Sequence, residues 1–406
     1  MLSLILDGMV PVYAVTPAGE AFYVSPNGSD VVNNGTSPSA PFLSLERARS
    51  AMQESRSAKT VFLMGGIYDC SNTLTLGKAD SGETWQAYSR QIPVLDGGGK
   101  VATGIKIDGA TNVTIRWLTL RNFQQIGIHA NNATGFILDS DTIEHITSTH
   151  WNQSAVEVSG SCRDGRITHN HIENCGYCGI EVNAVPGDDL TGLAIEFNVV
   201  YDTMKTVKDG GGIYLMDRGH SESPVRIANN IIGNYGNQKN KSKAIYLDDG
   251  LSHATVMNNV VWGTGSYCVQ FHGGDHDIIT NNIFDITEVS KLGYYQDGSP
   301  GKNYGMAGNC FANNIVYSLA KKTPSALWSF LNESPSPILK PIVRENTYWT
   351  PHATLPNIGS IVDSKPNNQN PSFVDPAKHN YQFQSASPIG FAVFDSSKVG
   401  PLSDNR

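Results

Sequence analysis

The sequence predicts an all-β fold: a parallel β-helix, closed at its N-terminal end by a single capping helix. Three observations carry this expectation. One short β-type phrase recurs in three versions, at Asp209–Asp217, Lys243–Asp249 and Tyr267–Gly273, each beside glycine. A second phrase alternates with it, an Asn-Asn doublet followed by two apolar residues, at Ala228–Ile232, Met257–Val261 and Thr280–Phe284. Aligning the coils on the residue before the apolar pair gives Thr119, Thr142, His171, Asn198, Asn230, Asn259, Asn282 and Asn314, at steps of 23 to 32 residues. Interleaved phrases at such a period mark a repeat architecture. A constant coil with a variable step means loops extruded from a regular core. Asn stacked at one corner makes a side-chain ladder that satisfies the backbone of a buried turn.

Composition agrees. The chain has 406 residues, of which only 16% are charged and 40 are glycine. This suits strands joined by turns, and excludes coiled coil and disorder. Length alone suggests two or three domains, but repeat folds escape that prior because each unit packs on its neighbours. The net charge of −8, with no Lys/Arg cluster, argues against nucleic acid as a partner. Of the six cysteines, Cys175 and Cys178 have C-x-x-C spacing but no second pair to complete a zinc site. Cys178 and Cys268 read as core residues. A Cys162–Cys175 disulfide is open at this level.

Taken in order, residues 1–15 resemble a truncated signal peptide: apolar, interrupted by Asp7, and ending at Val12-Tyr-Ala14. No run is long and apolar enough to span a membrane. Residues 22–59 form the opening segment, a strand from Phe22 and then a helix over 42–55. Phe42, Leu45, Ala48 and Met52 supply its apolar face and Ser44 its N-cap. Such a helix covers the open end of a strand stack, which would otherwise invite edge pairing. The β-helix is expected over 60–350, and 351–406 as a closing segment.

Strand residues alternate faces. In the first phrase Ile180, Ile213, Ile245 and Val269 point inward, as do Val182, Leu215, Leu247 and Phe271. Two outward columns follow. One holds His129, Glu157, Glu181, Tyr214, Tyr246 and Gln270; the other holds Asn131, Ser159, Asn183, Met216, Asp248 and His272. Neither column contains lysine. Asp217 and Asp249 lie just beyond, and Asp209 just before the strand, ahead of three glycines that let a ligand approach the backbone. Four long loops, 184–192, 201–208, 218–224 and 233–243, flank this face and would make it a groove. Carboxylates and rings in a groove suit a sugar. The bland readings are cross-strand aromatic support for Tyr214 and Tyr246, and ordinary surface acids for Glu157 and Glu181.

The N-terminal stretch 22–52, the Asn ladder and the C-terminal stretches Asn370–Pro376, Asn380–Phe383 and Ser387–Gly390 together resemble the right-handed parallel β-helix superfamily of secreted carbohydrate-active proteins, a pectate-lyase-like solenoid. Gly179-Ile-Glu181, Asp209–Tyr214, Ala244–Gly250 and Phe271–Gly274 are similar to its glycoside hydrolases, among them β-xylosidase-like and fucosidase-like families. The resemblance implies a secreted or periplasmic hydrolase, acting as a monomer on a poly- or oligosaccharide. Among the groove carboxylates, Asp209, Glu181 and Asp248 lie on three successive coils and are the catalytic candidates. Tyr214, Tyr246, His272, Asp217, Asp249, Glu157 and Arg218 would bind substrate, with no metal or cofactor. Two alternatives stay open. A polysaccharide lyase would work by β-elimination, drawing on Lys243, Arg218, His272 and Tyr246, with calcium on Asp248 and Asp249. A non-catalytic glycan-binding protein would need no such chemistry. Carboxylates dominate the columns and would repel a uronate, which favours the hydrolase.

Overall fold

In the computed structural model three long parallel sheets wind into one β-helix. It describes residues 21–402 except 56, 237–238, 240, 289–290, 297–304, 322–325, 334–336, 353–360, 385–390 and 392–394. The signal-like stretch 1–15 and Ser387–Gly390 therefore fall outside the described residues. Each coil contributes one strand to each sheet. The first sheet runs from Ala21–Val24 to Ile342–Arg344, the second from Gly66–Asp69 to Thr347–Trp349, and the third from Leu74–Gly77 to Trp328–Asn332. The first sheet starts earlier than the expected 60, because Ala21–Val24 pairs in parallel with Thr60–Leu63.

The alternation read from the sequence sets the core. Ile180, Ile213, Ile245, Val269, Val182, Leu215, Leu247 and Phe271 are all buried in the interior cluster. At ~25 cal/mol per Å² of apolar surface removed from water, such columns dominate the stability of a stack whose coils touch only their neighbours.

The capping helix spans Leu45–Glu54. The Ser44 side chain accepts from the Arg47 N–H, and Leu45, Ala48, Ala51 and Met52 are buried. It packs against Ala21–Val24, the edge strand of the first sheet, as an end cap must. The C-terminal stretch instead lies on a flank. Strands Phe373–Asp375 and Asn380–Phe383 form an antiparallel pair, and Phe373 and Tyr381 cluster with Trp262 and Tyr317 beside the second sheet. The Tyr381 hydroxyl donates to Asp285 there at 2.6 Å.

The corner between the first and second sheets holds the ladder, and here the sequence alignment needs one correction. The rungs are Asn170, Asn198, Asn230, Asn259, Asn282, Asn314 and Asn346, with Asp141 and Asp363 at the two ends. Thr119, Thr142 and His171 are one residue late, because they pair in succession with one another and His171 pairs with Val199, not with Asn198. The doublets have a backbone cause. The residue before each rung takes a left-handed conformation: Asn229 has φ 58°, Asn258 55° and Asn281 58°. Asn tolerates that region better than most residues. In two other coils Phe197 and His169 take it instead.

All six cysteines are free. The Cys162–Cys175 disulfide left open by the sequence is not formed, since Cys175 ends a second-sheet strand while Cys162 lies in the turn after a third-sheet strand.

Candidate active site

The outer face of the third sheet carries both predicted columns in the predicted register. His129, Glu157, Glu181, Tyr214, Tyr246 and Gln270 are successive partners across the strands. Asn131, Ser159, Asn183, Met216 and Asp248 follow two residues on. The first column also extends one coil back to Lys106, so the face is not free of lysine. Reading the column only from His129 onward hid it.

The face is more enclosed than an open groove. Met204 and Val207 of the loop 201–208, with Tyr177 and Cys178, pack on Tyr214, Met216 and Tyr246 as a small apolar cluster. Tyr214 and Tyr246 stack on each other at 5.1 Å, Tyr246 on His272 at 6.2 Å, and His272 on Tyr295 at 4.7 Å. The two tyrosines thus present no free ring face to a sugar, and their hydroxyls work instead. Tyr214 donates to Asp248 at 2.7 Å, and the Tyr246 hydroxyl meets the His272 ring nitrogen Nδ1 at 3.2 Å. Burial pushes both phenols well above their usual range, Asp248 adding to it, so both keep their protons.

Asp248 is the hub. It takes the Tyr214 hydroxyl and a short hydrogen bond with His272 Nδ1. Asp249 follows with φ 46° and pairs with the half-exposed Arg218 at 2.8 Å. One ligand atom each from Asp248, Asp249 and His272 lie within 4.8 Å of one another. Asp209, also left-handed at φ 60°, stands more than half exposed at the lip, its carboxylate 2.5 Å from Lys243 Nζ. That ammonium also lies 3.8 Å over the Tyr246 ring, a cation–π contact. Burial first, and then the charges of Asp248, Asp209 and Asp249, raise the Tyr246 phenol. Lys243 entered the sequence reading only as a lyase base. Its position level with Gly211 and Tyr267, at the start of the repeated phrase, was the available signal.

Other predicted members separate from this hub. Glu181 has no exposed surface and is bonded to the Ser154 hydroxyl, so it does not line the accessible side. Asp217 is engaged by its own loop: its carboxylate accepts from the Gly219 and Ser221 N–H groups and the Ser221 hydroxyl. Glu157 is buried beside Glu181. A broad cleft of about 740 Å³ lies elsewhere, where the second sheet turns into the third, lined by Asp69, Asp96, Asn122, His145, Ile146 and Lys205 among others. Asp96 is already satisfied there by Arg121 and Asn122.

The family model described as the right handed beta helix region matches residues 103–317. The chain belongs to this family. Among curated proteins, pectate lyase L of Paenibacillus polymyxa (strain SC2) is 22% identical over 339 residues, covering 70% of this chain and 73% of that protein. Among solved structures, the native GH136 lacto-N-biosidase from Eubacterium ramulus superposes with a TM-score of 0.60 at 12% identity, over 86% of this chain and 68% of that chain. XylC in complex with xylose gives 0.57 at 11%, over 94% and 98%. At such identities the superpositions establish the shared fold.

In this right-handed β-helix the metal question turns on donors. Asp248, Asp249 and His272 offer two carboxylates and an imidazole. Calcium takes six to eight oxygens, whereas a mixed nitrogen and oxygen set suits a transition ion. Arg218 on Asp249 and the His272–Asp248 bond already balance these groups. The set fits calcium poorly.

Buried Glu157 gives a pH prediction. Burial, and then the Glu181 charge, push its carboxyl from 4.5 up to about 8, and burial raises Glu181 as well. A folded-state value above the unfolded one stabilises fully below the unfolded value and is lost as pH rises through the folded one. The melting temperature should therefore fall between about pH 5 and pH 9, and Glu157→Gln should flatten that fall. An equally steep decline in the variant, followed by thermal melting across the range, would show that Glu157 is not its source.

Proposed function

We propose that this β-helix is a secreted carbohydrate-active enzyme that hydrolyses glycosidic bonds in a poly- or oligosaccharide. The observation that carries the reading is the Asp248 hub: a carboxylate held by Tyr214 and His272, a second carboxylate within 4.8 Å, and Asp209 at the lip against Lys243. Glycoside hydrolysis needs two carboxyl groups with distinct roles, one protonating the leaving oxygen and one attacking or activating water. Asp209, a carboxylate beside an ammonium and open to solvent, suits the nucleophile or base. Asp248 shares a short hydrogen bond with the His272 ring, through which a proton can be supplied, and suits the acid. Arg218 and Asp249 are placed to bind hydroxyls. The names of the related proteins, pectate lyase and lacto-N-biosidase, support carbohydrate as the substrate class.

The second reading is a polysaccharide lyase, favoured by the pectate lyase relative. It would need a neutral base, whereas Lys243 is committed to Asp209 and the Tyr246 face. The deciding experiment is product analysis on neutral and uronic polysaccharides. New reducing ends without ultraviolet absorbance support hydrolysis; an absorbing unsaturated end refutes it. In the same assay we expect EDTA to change neither turnover nor melting temperature. Activity that EDTA removes and calcium restores would transfer the site to the lyase reading.

A further inference from the structure

We propose that Trp151 is a sugar-stacking platform, forming an accessory subsite for a pyranose ring of the oligosaccharide chain beside Asp209. The proposal rests on the site processing a glycan, and is independent of whether the bond is hydrolysed or eliminated.

The aromatic residues inside the site cannot serve as platforms. Tyr214, Tyr246, His272 and Tyr295 stack on one another along the third sheet. Among the described residues, Trp151 is the one strongly exposed large aromatic, with 68% of its surface open. An exposed indole costs hydrophobic free energy, and its place in the fold is not incidental. Its Nε1–H donates to the backbone carbonyl of Lys208 at 3.2 Å, the residue directly before Asp209. Asp209 in turn pairs with Lys243, and its own carbonyl accepts from the Tyr177 hydroxyl. The ring is therefore tied to the lip that carries the candidate nucleophile.

The loop holding Trp151 is braced from below. Gln153 Oε1 accepts from the N–H groups of Thr149 and His150, closing the loop on itself. The Ser154 hydroxyl bonds to buried Glu181, fixing the loop's far end to the third sheet. With Nε1 already engaged, the indole has only its faces to offer. A face presented to water and tethered through Nε1 is suited to the C–H-rich face of a pyranose. The bracing lowers the ordering cost that a flexible side chain would bear on binding.

The test measures binding as well as turnover. Trp151→Ala, Trp151→Phe and Trp151→Leu are compared with wild type by affinity electrophoresis in xylan, mixed-linkage glucan and polygalacturonate. Calorimetry with xylohexaose, cellohexaose and hexagalacturonate accompanies it. Trp151 lies on the surface, so all three variants should fold, as circular dichroism will report. For whichever glycan binds, Trp151→Ala and Trp151→Leu should weaken affinity and raise KM about tenfold, with kcat changed less than about threefold, and Trp151→Phe should restore most of the affinity. Unchanged affinity in Trp151→Ala, equal binding by the Leu and Phe variants, or a wild type that binds none of these glycans would each overturn the proposal. An unsaturated product would refute the hydrolase reading and leave the Trp151 result standing.

Discussion

Asp209→Asn and Asp248→Asn are each expected to lower turnover by about 10²–10⁴-fold on the glycan that is cleaved, the range seen when a general acid or base is lost. Both changes keep the size of the side chain, so loss of fold is not the anticipated cause. An amide at position 248 would still accept from Tyr214, and one at position 209 would still reach Lys243, but neither can attack or carry the proton. Glu181→Gln should act differently. Its carboxyl is bonded to Ser154 and has no exposed surface, so it should change stability and leave the turnover of folded protein near wild type. If Asp209→Asn retains more than about a tenth of wild-type turnover, Asp209 is not one of the working pair. A large turnover loss in folded Glu181→Gln would return that role to the buried carboxyl.

Asn230→Ala should be the most damaging of the surface-remote substitutions. Asn230 Oδ1 accepts both the backbone N–H and the side-chain amide of Asn198, and its Nδ2 donates to the Ile195 carbonyl and to Asn259 Oδ1. Alanine leaves the Asn198 N–H buried without its partner and removes the side-chain bond from the Ile195 carbonyl, which the strand ladder also serves. The orphaned N–H costs roughly 1–3 kcal/mol. That is a sizeable share of the ~5–15 kcal/mol that holds a typical domain folded. Asn259→Ala breaks the same four kinds of contact one coil on. Thermal and urea melts should show clear destabilisation for both, with the activity per folded molecule preserved. Unchanged melting would mean that the ladder contributes nothing beyond what the strand pairing already supplies.

Much of the molecule was legible because its information is local and periodic. Alternation within each phrase decides which side chains enter the core, and a one-residue slip would turn every side chain to the wrong face. That is why the register of Glu157, Glu181, Tyr214 and Tyr246 could be read from aligned phrases alone. Alignment faltered in the coils before Asn198, which lack the doublet: at Asn170, His169 takes the left-handed position and an apolar-pair rule then selects His171.

What the sequence by itself determined was thus the coil, the ladder, the capping helix and the membership of the two outward columns. Only the tertiary structure decided which of those outward groups are reachable. The loop 201–208 folds its Met204 and Val207 over the tyrosines, Ser154 draws Glu181 out of reach, and Asp217 turns back on its own loop. Lys243 and Trp151 gather at Asp209 through contacts between residues 34 and 57 positions apart. Loop packing of this kind follows no repeat, so no periodicity in the chain announces it. It is set by which apolar and polar groups find partners once the coils have stacked.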